Sequence, residues 1–223
     1  RPALADGTQP PITVRQLLTH TSGLSYSFMF PVDAPYSAAG VSDGMDNPGT
    51  TLDENLKRLA SVPLRFVPGE RFHYSLSTDV LGAVIAAAAG ASLPEVVAQR
   101  VTGPLGLTDT AFVATDSARL TTPYHSDTDL TAPAVRMPDP KEFPSLAGGL
   151  IRYSPARATN PEAYPAGGVG LVSKADDYLK FAEALRMDGG PILSQDMARA
   201  MTSDALAPLP VDAAGPGWGF GLG

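Results

Sequence analysis

Apolar residues recur at helical spacing in several stretches of this chain, and proline- and glycine-rich segments separate them. Val14, Leu17 and Leu18 stand at i, i+3 and i+4, which predicts a helix over 13–20 with Thr13 as N-cap and Gly23 as a natural stop. Leu52, Leu56 and Leu59 mark a second helix over 52–61. Residues 77–89 read as a strong helix between Ser77 as N-cap and Gly90 as stop. A further helix over 92–102 opens on the capping box Ser92-x-x-Glu95, and Gly103 to Leu107 follows as a tight apolar turn. Residues 173–187 form an amphipathic helix with Ser173 and Asp176 as capping pair and Gly189-Gly190 as stop, and 194–203 form one more.

Between these helices lie long loops. Residues 25–50 carry Pro31, Pro35 and Pro48, and a loop of that length is usually functional. Residues 108–167 show little periodicity, with short strands expected at 110–114 and 149–153. The end, Pro216 to Gly223, reads as a turn entering a strand. With 22 glycines and 22 prolines in 223 residues, ordered loops surround few regular elements. No βαβ alternation appears, so a parallel sheet is not expected.

Composition narrows the function. Apolar residues make up 43%, enough for a folded core. A net charge of -7 argues against nucleic acid as a partner. Zero cysteines exclude disulfides and thiolate catalysis. His20, His73 and His125 lack metal-ligand spacing, so neither a metal nor another cofactor is expected. The longest small-apolar stretch, Val80 to Ala91, is too short to cross a bilayer. Arg1-Pro2-Ala3 opens into a polar turn with no visible leader, and the expectation is a cytoplasmic protein.

Three places could carry chemistry. Gly40-Val41-Ser42-Asp43-Gly44 has the G-x-S-x-G spacing of a nucleophile elbow, with His125 and Asp79 as nameable base and acid. An elbow needs a buried strand before it and a helix after it. Neither flank fits, which favours a glycine-rich loop that matches by chance. His20 beside Ser22 invites a catalytic reading, but a histidine at a helix end more often fixes the following loop. Tyr74 sits just before the helix at 77–89. It either packs with its hydroxyl capping a loop, or meets a positive helix end or a lysine, both of which favour phenolate and general-base work.

Leu17-Leu18-Thr19-His20-Thr21-Ser22-Gly23-Leu24, the segment from Pro68 to Gly82, the run Gly167 to Ser173 and Gly217-Trp218-Gly219-Phe220-Gly221 occur in this order. Together they resemble the family VIII carboxylesterases, relatives of class C β-lactamases and D-alanyl-D-alanine peptidases. The resemblance implies an α+β, β-lactamase/transpeptidase-like fold, with a helical region packed on an antiparallel sheet and the active site between them. It implies a small-molecule ester as substrate and an acyl-enzyme mechanism. Tyr74 matches the family's catalytic tyrosine, which takes the proton of the attacking serine and passes it to the leaving group. Tyr26 resembles a residue lining the acyl or alcohol pocket.

That family attacks with the serine of S-x-x-K. Lys57, Lys141, Lys174 and Lys180 are preceded three residues earlier by Glu54, Pro138, Leu171 and Asp177, so no such motif exists here. Residues 1–223 are therefore expected to be part of the domain, most of its helical region and cleft loops. The serine and lysine should lie upstream and the late sheet strands downstream, and apolar area exposed where they pack would promote association. Leu76 stands where the β-lactamases and peptidases carry an asparagine that holds the substrate amide. This favours an ester with an apolar acyl group. Three other readings stay open: a β-lactamase or peptidase of the same superfamily, an α/β-hydrolase using Ser42, and a non-catalytic binding protein on the same scaffold.

Overall fold

The computed structural model describes residues 2–32, 34–47, 49–126, 131–207 and 209. The turn and strand expected at Pro216 to Gly223, with its Gly217–Gly221 motif, lie outside the described residues. Helices dominate: α1 (Val14–Leu18), α2 (Pro35–Ala38), α3 (Leu52–Ala60), α4 (Ser77–Ala89), α5 (Leu93–Val97), α6 (Gly103–Leu105), α7 (Ala175–Arg186) and α8 (Gln195–Thr202). Two antiparallel ribbons and three short 3-10 turns accompany them. One ribbon pairs β1 (Tyr124–His125) with β2 (Val135–Arg136), the other β3 (Lys141–Pro144) with β4 (Leu150–Tyr153). The fold is α+β with few strands.

Local rules set most helix starts. Thr13, Thr51 and Ser92 each cap their helix through a complete capping box with the glutamine or glutamate three residues on. Two caps differ from expectation. Ser77 lies inside the first turn of α4, and the N-cap is Leu76, which makes no side-chain bond. The Ser77 amide instead donates to the Ser75 hydroxyl at 3.3 Å. Ser173 is likewise displaced by Lys174 as the α7 N-cap, because its hydroxyl is engaged with Thr110 at 2.8 Å.

The helix expected over 92–102 continues to Leu105. Its middle, Ala98–Thr102, widens to a π turn, in which the Gly103 amide reaches back to the Ala98 carbonyl. Pro104 has no N–H to return to the preceding turn, and the wider winding accommodates it. The predicted strand at 110–114 reduces to a bridge between Ala111 and Val172, while the one at 149–153 forms as β4.

The core gathers Leu17, Leu24, Tyr26, Leu59, Leu64 and Leu76 from α1, α3 and the segments flanking α4. The extended residues after α1 are stitched to the chain ahead of α4. Arg65 donates to the Gly23 carbonyl at 2.9 Å, Gly69 to Thr21 at 2.8 Å and His73 to His20 at 2.8 Å. Gly23 lies at φ +83°, and a Cβ there would stand 2.6 Å from the Phe66 carbonyl oxygen. Both the left-handed backbone and the contact forbid a side chain. Gly23→Ala is expected to cost at least about 2 kcal/mol, read as a lower urea midpoint at unchanged slope.

α7 is pinned to the loop ahead of it by ions. Lys174 meets Asp109 at 2.6 Å and Arg119 meets the same carboxylate at 2.7 Å. These hydrogen-bonded cations hold the Asp109 carboxyl well below the usual range. An apolar groove of about 360 Å³ remains open between α1, α3 and α4, lined by Ile12, Leu17, Leu24, Leu59, Val80 and Val84 among others.

Candidate active site

Tyr74 stands at the mouth of α4, half-exposed with 41% of its surface accessible. The backbone on either side of it is fixed. The Ser75 amide donates to His20 Nδ1 at 3.2 Å, and the Leu76 amide approaches the Ser25 carbonyl at 3.4 Å. Beneath it the ring has a rigid bed. The His20 ring lies 4.7 Å away and the Tyr26 ring 5.3 Å away, centroid to centroid. Phe28 stacks under Tyr26 in turn at 4.9 Å.

His20 and Ser22 belong to this support. His20 follows α1 at φ +51°, a left-handed turn that swings its ring toward α4. Its Nδ1 accepts from the Ser75 amide, which fixes the neutral tautomer with the proton on Nε2. Burial, with the neighbouring His73 adding to it, pulls its pKa down to about 4. Ser22, Ser77 and Ser75 form a buried hydroxyl chain with links of 2.7 Å each. None of the three is accessible to a substrate. His73 Nε2 bonds the Ser25 hydroxyl at 2.7 Å and the Arg65 guanidinium at 3.2 Å, which fastens the same loop from its outer side.

The structure brings Tyr26 to Tyr74 but buries it, with 2% of its surface accessible. Burial first, then Tyr74 and Asp79, push its phenol far above the ordinary range, so it stays protonated. Leu76 is wholly buried in the core. In this structure both side chains lie beneath the Tyr74 surface, with neither reaching an accessible face.

Ser42 is no nucleophile elbow. Only 3% of it is accessible. Its hydroxyl is spent on Asp46 and on Tyr164 at 2.9 Å, and its backbone is clamped from both sides by Asn55 of α3 at 2.8 and 2.9 Å. His125 lies on β1 with its ring 5.5 Å from that of Phe143. The sequence names Asp79 only as an acid for Ser42 and does not foresee where its carboxyl turns. Its carboxyl faces Gly44 and Gly168, and burial lifts it to about 7. The signal was an acid in the first turn of an apolar helix, opposite a glycine-rich run.

Residues 2–223 match the family described as Beta-lactamase. The chain belongs to the β-lactamase family. Esterase EstB of Burkholderia gladioli is 44% identical over 223 residues, covering 99% of this chain and 56% of that protein. Monacolin J acid methylbutanoyltransferase of Aspergillus terreus is 31% identical over 200 residues, covering 88% of this chain and 43% of the relative. Among solved structures, "EstCE1, a hydrolase with promiscuous acyltransferase activity" superposes with a TM-score of 0.85 at 43% identity, covering 99% of this chain and 58% of the other. The chain thus spans about half the length of the curated relatives it matches. The β-lactamase/transpeptidase-like fold leaves no place for an α/β-hydrolase elbow at Ser42.

Proposed function

We propose that this β-lactamase-family chain is the tyrosine-bearing part of a serine carboxylesterase for short-chain carboxylic esters. Tyr74 takes the proton of the attacking serine and returns it to the leaving alcohol. The serine and lysine come from outside these 223 residues, as do the late sheet strands, and the open apolar groove along α1, α3 and α4 is where further protein packs. The observation that carries the reading is Tyr74 itself, a half-exposed phenol on a buried, rigid bed at a helix mouth. A catalytic acid–base group needs that combination of access and fixed position.

The relatives' names support ester chemistry. One relative is named for moving an acyl group and another for releasing one, and an acyl-enzyme intermediate suits both chemistries. Leu76 supports an ester over a β-lactam or peptide, since its position offers no side-chain amide to hold a substrate amide.

Fluorophosphonate labelling tests the division of labour. The 223-residue chain, shown to be folded by circular dichroism, is expected to take no adduct. An adduct mapped by peptide mass spectrometry to Ser42, or to any other serine here, would overturn the reading.

A further inference from the structure

Three buried side-chain oxygens meet in one place: Tyr26 Oη, which interacts with the Thr78 and Tyr74 hydroxyls, and the two carboxyl oxygens of Asp79, which faces the Gly168 amide. Gly168 marks the spot. A methyl group on it would lie 2.8 Å from Thr78 Oγ1, 2.9 Å from Asp79 Oδ2 and 3.3 Å from Tyr26 Oη. Three oxygens from two segments therefore converge beside one glycine. On the opposite side, a Cβ on Gly44 would come within 3.4 Å of Asp79 Oδ1. Contacts this short leave no room for a side chain at Gly168, so the backbone there packs directly against the three oxygens.

Thr78, Gly167 and Gly168 line a cleft of about 420 Å³ that opens on the α5 side of α4. The Tyr74 ring lies 5.3 Å from the Tyr26 ring, so whatever fixes the Tyr26 phenol fixes the surface that Tyr74 rests on.

We propose that Asp79 is a positioning residue for Tyr74: with Thr78 it holds the Tyr26 phenol under the Tyr74 ring. The assignment of Tyr74 as the catalytic base rests on the function proposed above, but the coupling of Asp79 to Tyr74 does not. Other groups act on Asp79 as well. Arg157 favours its anion, Asp43 opposes it, and the Tyr26 and Tyr164 phenols beside it remain protonated through neutral pH.

The test uses the full-length protein labelled with 13Cζ-tyrosine, with Tyr74 assigned by the loss of its resonance in Tyr74→Phe. Wild type, Asp79→Asn and Tyr26→Phe are followed from pH 5 to 9. In wild type the Tyr74 resonance is expected to step with a midpoint near 7, where Asp79 titrates. The step is lost in Asp79→Asn. It is also lost in Tyr26→Phe, which keeps every carboxylate and the aromatic bed. Titration of Asp43 near 6 is separable, since it survives in both variants. A step unchanged in Asp79→Asn, or one that persists in Tyr26→Phe, overturns the proposal. Esterase activity retained in Tyr74→Phe would instead sink the function and leave this coupling standing.

Discussion

If Tyr74 has the role proposed above, replacing it with phenylalanine is expected to lower kcat for ester hydrolysis by the full-length protein by about 10²–10⁴-fold, the usual contribution of a general acid–base group. Stability should change by less than about 1 kcal/mol, because the ring keeps its contacts with His20 and Tyr26 and only a half-exposed hydroxyl is removed. The pairing of these outcomes is the point. A tyrosine that merely packed would lose little activity on becoming phenylalanine, and one that capped a buried loop would lose stability. Steady-state hydrolysis of a nitrophenyl ester, with a thermal melt on the same preparation, measures both. Activity within about twofold of wild type would remove Tyr74 from the mechanism.

The rigidity of that bed explains which parts of the site the sequence makes legible. Rules acting over three or four residues can be read directly. The capping boxes at Thr51 and Ser92, the left-handed stop at Gly90 and the extent of α4 all follow from neighbouring residues. Ser77 obeys a different constraint. Its hydroxyl bonds Ser22, 55 positions earlier, and no local pattern encodes that partner. Ser173 departs for the same reason, drawn to Thr110 across 63 positions. Tyr74 is legible as a candidate only through its motif. Its spacing says nothing of the His20 and Tyr26 rings that hold it, because both come from the loop after α1.

Leu76 shows where motif reading stops. Its position in Tyr74-Ser75-Leu76 suggests a side chain facing substrate. The Ser25 carbonyl and the first turn of α4 fix its backbone, and its side chain points wholly into the core. An apolar residue there joins the hydrophobic cluster, where an amide would need buried partners. The preference for an ester is thus argued from what the position lacks, not from a contact it makes.

Asp79→Asn is expected to stabilise the folded protein at pH 8, on the order of 3 kcal/mol, and to leave it nearly unchanged at pH 4. The sign follows from proton counts. Burial lifts Asp79 to about 7 and Asp43 to about 6, so between pH 4 and 7 the folded state holds protons that the unfolded chain has released. Stability from these two groups is full in acid and is lost as pH rises through their folded values. His20 works the other way. Its folded value near 4 lies below that of an unfolded histidine, so protonation of the unfolded chain removes stability as pH falls from about 6.5 to 4. The two carboxyls together outweigh the one imidazole, and the wild type should weaken as pH climbs from 5 to 8. Removing the Asp79 charge leaves Asp43 and His20 nearly balanced, so the urea midpoint of the variant should become almost flat across that range. A variant less stable than wild type at pH 8 would mean that the Asp79 carboxylate is well paired in the folded state.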